Sequence, residues 1–256
     1  MIGMLDLREA GRATAIALPD LVITDVDREA AIAEWRGRMV NEHVSARVFA
    51  QLIPQLMRAG LPADVQANVA DMVAQELRHG RLCAGVVEAL GGAAVIALPE
   101  LADVPAHGDA TPVEAVLRNV LAISCLEETV AVALLETGRQ LSEPAPIRAV
   151  VTEILRDEIG HAKLGWQLAR ALLPGVERRT RERLSEYLVP AFRQLVERHW
   201  VPDELPLVGR RAVPAIGVDD AREASRLVLD VIGQVIVPGL EAYGLEARDA
   251  LAEATM

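Results

Sequence analysis

The chain has 256 residues, of which 52% are apolar and only 3% aromatic, and it carries a formal net charge of −11 at pH 7. That is apolar material enough for one sizeable core, and a wealth of Ala, Leu and Val with few aromatics favours helices over a β-sandwich. The acidic balance leaves no basic face for nucleic acid, no uncharged run reaches the ~18–20 residues of a membrane span, and Cys83 and Cys125 lie too far apart for a CxxC metal ribbon or a disulfide framework.

The N-terminal MIGMLDLREAGR has acids where a secretory leader would have a basic region and an apolar block, so a soluble cytoplasmic protein is expected. Residues 1–26 show no clear period and read as an arm packed on the body. From Asp27 to about Arg58, apolar residues recur at helical spacing: Ile32, Trp35, Met39, Ala46, Phe49, Leu52 and Leu56. Pro54 should kink this helix, Gly60 stop it, and Pro62 open the next, which runs to about Leu90 and ends at Gly91-Gly92. A loop through Pro99, Pro105 and Gly108 follows. Thr111-Pro112-Val113-Glu114 is a capping box that starts a third helix, reaching about Gln140.

After the turn Ser142-Glu143-Pro144-Ala145-Pro146, a fourth helix runs to about Leu173 and ends at Pro174-Gly175. Two further helical stretches, about 177–200 and 219–246, are expected to break at Pro190 and Pro238. The cationic run RRTRER, Arg178 to Arg183, reads as a solvated helix face. The organisation expected is an arm (1–26), a four-helix body (27–175) and C-terminal helices (176–256) packed on it in the same domain.

The second helix contains Glu76-Leu77-Arg78-His79 and the fourth Glu158-Ile159-Gly160-His161. A Glu and a His three apart share a helix face and can grip one ion together. A bundle site of this kind needs one further inward Glu from each of the other two helices. The first helix offers Glu42 in the stripe Met39, Glu42, Ala46, Phe49. The third offers Glu128 in the stripe Leu121, Cys125, Glu128, Val132, Leu135, with Glu127 about 100° round as the lesser choice. A charge in an apolar stripe is costly unless paired or metal-bound. Four carboxylates and two imidazoles suit two Fe or Mn ions. Asp157 is placed to accept a hydrogen bond from a ligand imidazole and fix its tautomer. His43 points away from the set, His107 and His199 read as solvated, and Cys83, Cys125, Trp35 and Trp166 read as core.

Glu42, then Glu76 with His79, then Glu128, then Glu158 with His161, over about residues 30–170, resembles the ferritin-like di-iron carboxylate superfamily. NEHVSARVFAQL and QELRHGRLC also resemble bacterial ferritin-like-domain proteins. The resemblance implies an all-α fold: a ferritin-like four-helix bundle with additional C-terminal helices. It implies two Fe (or Fe/Mn) ions per chain, O2 as co-substrate, an external electron donor and a homodimer as one assembly open to the chain, with no catalytic residue beyond the metal ligands. Its best functional reading is an oxidase or oxygenase acting on a small organic substrate in a pocket beside the metals, lined by Ser45, Ala46, Phe49, Cys125, Thr129 and Val132. Ferroxidase or peroxide chemistry of rubrerythrin type, and a metal-free helical scaffold, are the alternatives. The chain departs from the pattern at Gly160, where many members have Arg, and at Gln75, where many have Asp, so the surroundings of the two motifs should be uneven.

Overall fold

The computed structural model describes residues 3–201 and 212–256. The arm forms a strand, β1 (Met4–Asp6), and a short helix, α1 (Arg8–Thr14), that packs on the second long helix. The first long helix, α2 (Asp25–Arg58), starts where the Thr24 hydroxyl accepts the Asp27 amide at 3.1 Å. It continues through Pro54 without interruption and stops at Gly60, whose φ of 68° only glycine adopts freely. Helix α3 (Ala63–Ala89) follows Pro62 and packs antiparallel to α2 along its length. Strand β2 (Val95–Ala97) then pairs antiparallel with β1, a two-stranded ribbon absent from the helical pattern of the sequence.

The third long element is composite. Helix α4 (Pro112–Val120) passes into a π-helical segment, Leu121–Glu127, and then into α5 (Glu128–Leu141). The Glu128 amide bonds the Ile123 carbonyl, five residues back. Helix α6 (Ala145–Leu172) returns beside it. The close packing of α6 on the π segment depends on Gly165, where a Cβ would lie 3.0 Å from the Ser124 carbonyl carbon and 3.2 Å from the Cys125 nitrogen. Helix α7 (Arg178–His199) runs unbroken through Pro190. Helix α8 (Ala221–Val231) leads through a second π segment, Ile232–Ile236, into α9 (Val237–Glu241), and α10 (Ala247–Ala254) closes the chain. The architecture is the expected all-α ferritin-like bundle with extra C-terminal helices. Among the described residues no helix is long and apolar enough to cross a membrane.

The apolar core falls into two halves. One gathers Trp35, Met39, Val87, Leu90, Ile147 and Ile154 from one end of α2, α3 and α6. The other gathers Phe49, Leu56, Met72, Leu117, Leu168 and Phe192, with α7 to α10 completing it. Between them, at mid-height, lie Glu42, Glu76, His79, Glu158 and His161.

Two polar features differ from expectation. Thr111 caps α4 by accepting the Glu114 amide at 3.3 Å, but the Glu114 side chain does not return to close the box. It is fully buried and holds Arg118 at 2.8 Å and Arg183. Arg183 belongs to RRTRER, so that run is not wholly solvated: Arg183 and Arg181, which donates to the Leu173 carbonyl, anchor α7. His107 is likewise half-buried, bonded to Asn119 at 3.1 Å and edge-on to Tyr187. Glu114→Ala should therefore destabilise the fold by about 2–4 kcal/mol, since Arg118 keeps only the exposed Asp109 as an ion partner, beside the Tyr187 ring, while Arg183 turns to water. A urea midpoint unchanged by the substitution would show that this buried ion group does not anchor α7.

Candidate metal centre

Three long helices and the composite one each aim carboxylates or imidazoles at the gap between the core halves. On α3, Glu76 and His79 project together because a three-residue step returns to one face. The same holds for Glu158 and His161 on α6. Helix α2 supplies Glu42 and α5 supplies Glu128, its first residue. The six residues form two overlapping groups of four, Glu42, Glu76, His79 and Glu158, and Glu76, Glu128, Glu158 and His161. Within each group one donor atom per residue lies within 4.8 Å of all the others. Glu76 and Glu158 belong to both and stand where carboxylates could bridge two ions.

Both imidazoles turn Nδ1 inward. His79 Nδ1 stands 3.2 Å from Glu158, 3.4 Å from Glu42 and 3.7 Å from Glu76. His161 Nδ1 stands 3.0 Å from Glu158 and 3.1 Å from Glu76. The outward Nε2 atoms are each held by the neighbouring helix. His79 Nε2 bonds Asp157 at 3.1 Å, and His161 Nε2 bonds the Gln75 carbonyl at 2.7 Å. Asp157 thus serves the imidazole on α3, not the one on its own helix, and Gln75 is its counterpart. Gln75 stood out in the sequence only as a departure from the pattern. Its contact depends on the facing of α3 and α6, which no local spacing reveals.

The donor set fits divalent ions. Both carboxylate oxygens of Glu76 and Nδ1 of His79 are buried without a hydrogen bond, although each faces this cluster. Polar atoms so placed are costly unless something binds them. The electrostatics say the same. Burial first, then repulsion from Glu158, raises the Glu128 carboxyl well above the usual range. Burial also pushes Glu42 up to about 8, against the pull of His79. Burial disfavours a charge on His79, but the close carboxylates of Glu158, Glu42 and Glu76 outweigh it and raise it to about 12. His161 is raised to about 9 by Glu158 and Glu76 against the same burial. Glu158 is buried too, yet its bond to His161 and the nearby His79 imidazole hold it below the usual carboxylate range. The cluster without ions therefore stores protons in place of positive charge.

A cavity of about 500 Å³ opens beside the cluster. Glu42, Glu76, Glu128 and Glu158 form its floor, and Val130, Ala131, Leu134, Leu135 and Ile154 its apolar wall. The C-terminal end of α7 and the start of α8 cover it through Arg198, His199, Ala221 and Ala224. Of the six pocket residues expected from sequence, only Ser45 lines this cavity; Ala46, Phe49, Cys125, Thr129 and Val132 do not. The cavity lies on the Glu127 side of Glu128 and the Asn41 side of Glu42. Thr129 and Val132 lie about 100° and 40° round the other way, as Ala46 does from Glu42. Thr129 instead accepts the Trp166 indole N–H at 3.0 Å. Cys125 lies inside the π segment, whose wider turn advances less per residue and leaves its thiol in the core. Phe49 packs edge-on against His161 with ring centroids 5.3 Å apart.

Glu127 is a cavity-wall residue outside both donor groups, paired with Arg198 at 3.2 Å. His199 lines the cavity as well, and burial lowers its pKa, contrary to the solvated role expected for it. Neither His43 nor either cysteine is in the donor groups, and both thiols are buried.

Fold and cluster together define an all-α, ferritin-like bundle with a buried carboxylate–histidine group at its centre. No family model matches the chain, and no curated protein matches it. Among solved structures, a protein with aldehyde deformylating oxidase activity from Synechococcus matches with a TM-score of 0.58 at 18% identity, covering 91% of this chain and 97% of its own. At that identity the likeness speaks for the fold, over nearly the whole of both chains.

Metal donors must be unprotonated. Below pH 8 an ion entering the cluster has to displace protons from Glu42 as well as from both imidazoles. Uptake of Mn2+ at pH 7 should release several protons, and affinity should fall as pH drops from 8 to 6. Calorimetric titration in two buffers of different ionisation enthalpy measures this; identical apparent enthalpies in both would contradict it.

Proposed function

We propose that the chain is a cytoplasmic non-haem di-metal oxidase or oxygenase, with iron, or iron and manganese, as its metals and O2 as co-substrate. In this reading Glu42, Glu76, His79 and Glu158 hold one ion, and Glu76, Glu128, Glu158 and His161 the other. The observation that carries it is that the two donor groups share Glu76 and Glu158 and open directly onto a cavity large enough for a small organic molecule. The bound metals would supply oxygen activation and electron transfer.

The protein's own residues set the conditions for that chemistry. Glu76 and Glu158, the shared donors, lie within the core at 1% and 4% exposure, which limits their contact with bulk water. Asp157 and Gln75 fix the tautomer of the two imidazoles by holding the outward N–H. Val130, Ala131, Leu134 and Leu135 would orient the apolar body of a substrate against Glu128 and Glu42. Electrons would come from an external donor. The cavity favours an organic substrate over iron storage or peroxide disposal alone, and the activity of the Synechococcus protein makes aldehydes the first compounds to try.

The test is anaerobic loading with ferrous iron, metal analysis, then exposure to air with optical absorption recorded. About two irons per chain and a new near-ultraviolet band are expected, with both lost in Glu158→Ala. Retention of under about a tenth of an iron per chain would favour the metal-free scaffold. The pocket has its own check. Ala131→Phe, which narrows the cavity wall, should leave iron content unchanged and lower kcat/KM for a substrate that fits by about 10-fold or more. An unaltered kcat/KM would place the substrate elsewhere.

A further inference from the structure

His79 and His161 have the same geometry but not the same support. Each turns Nδ1 into the cluster and gives Nε2 to the residue that precedes the Glu of the opposite helix. For His79 that residue is Asp157, a carboxylate; for His161 it is Gln75, a neutral amide. Asp157 is 8% exposed and accepts from His79 and Arg78 on one oxygen and from Arg156 on the other at 3.1 Å. The two arginines hold it in place and charged, yet their own side chains are 42% and 67% exposed, where water screens them. The Asp157 charge is therefore felt mainly through the hydrogen bond to His79. A carboxylate acceptor makes an imidazole a stronger donor to a metal, whereas an amide fixes its orientation and adds little charge.

We infer that the centre is built to fill unequally. The group with His79 takes the first ion and the group with His161 the second, and the difference is set by Asp157 against Gln75. This rests on the di-metal reading above. Asp157 and Gln75 are positioning residues: they act through the imidazoles and touch no ion themselves. An outer partner of this kind is worth roughly 10–100-fold in metal affinity. The two dissociation constants should differ by a factor in that range, and the singly loaded protein should be a definite species.

The experiment is anaerobic titration of the full chain with Co2+, followed by its visible absorption and by equilibrium dialysis. The wild type should show two steps. His79→Ala should remove the tighter step and His161→Ala the weaker. Gln75→Glu, which keeps the side-chain shape, should tighten the second step about 10-fold or more and close the gap. Asp157→Asn should weaken the first step by a similar factor and leave the second in place. Far-UV circular dichroism checks that each variant is folded, and Gln75→Glu remains decisive if Asp157→Asn is not. A single step of two equal ions, or a second step that Gln75→Glu does not move, overturns the inference while leaving the metal reading intact. No binding in the wild type overturns both.

Discussion

Four carboxylates gathered at mid-height in an apolar bundle are the constraint on which the rest of the structure depends. Each would cost several kcal/mol to bury alone. Within the cluster only two imidazoles compensate them, and both are driven towards the charged form for that reason. The cluster also divides the core, so neither half alone closes the bundle. This accounts for the length of α2, α3 and α6, at 34, 27 and 28 residues. Each must bring apolar side chains to both sides of a polar centre. The C-terminal helices then enlarge one half and cover the cavity that the carboxylates face.

The six cluster residues were legible because they are set by local rules. A Glu and a His three apart share a helix face whatever the rest of the chain does, and a lone Glu in an apolar stripe needs a reason to be there. Several helix ends were legible on the same grounds, through Thr111, Gly60 and Pro62. The pocket was not. Stripes drawn for an ideal α-helix place Cys125 and Val132 beside Glu128, but the π segment turns the first away and the cavity opens on the opposite flank. Nothing in LAISCLE announces a π turn; it accompanies the close approach of Gly165 on α6, a tertiary contact.

Charged residues misled in the same way. RRTRER carries the pattern of a solvated face, yet Arg183 ends on a fully buried Glu114 that looked like half of a capping box. His199 read as solvated and became part of the cavity wall. In each case the partner lies on an element far away in sequence: α4 with α7, and α7 with the π segment before α5. Side-chain spacing fixes which face of a helix a residue takes; only the packing of helices fixes what that face meets.

The centre has two unlike sides. Towards α2 and α5, Glu42 and Glu128 border the cavity, and neither His79 nor His161 lines it. Towards α3 and α6, the histidines turn their outer nitrogens away to Asp157 and Gln75, and Asp157 continues through Arg78 and Arg156 to the surface. Carboxylates tolerate a change of binding mode because either oxygen can serve; an imidazole held at both nitrogens cannot move without breaking a bond. The adaptable donors thus face the side from which small molecules can arrive, and the fixed donors face the packed side. A bundle with this division can admit a substrate without loosening the histidine grip, and that grip is where Gln75 and Asp157 make the two halves differ.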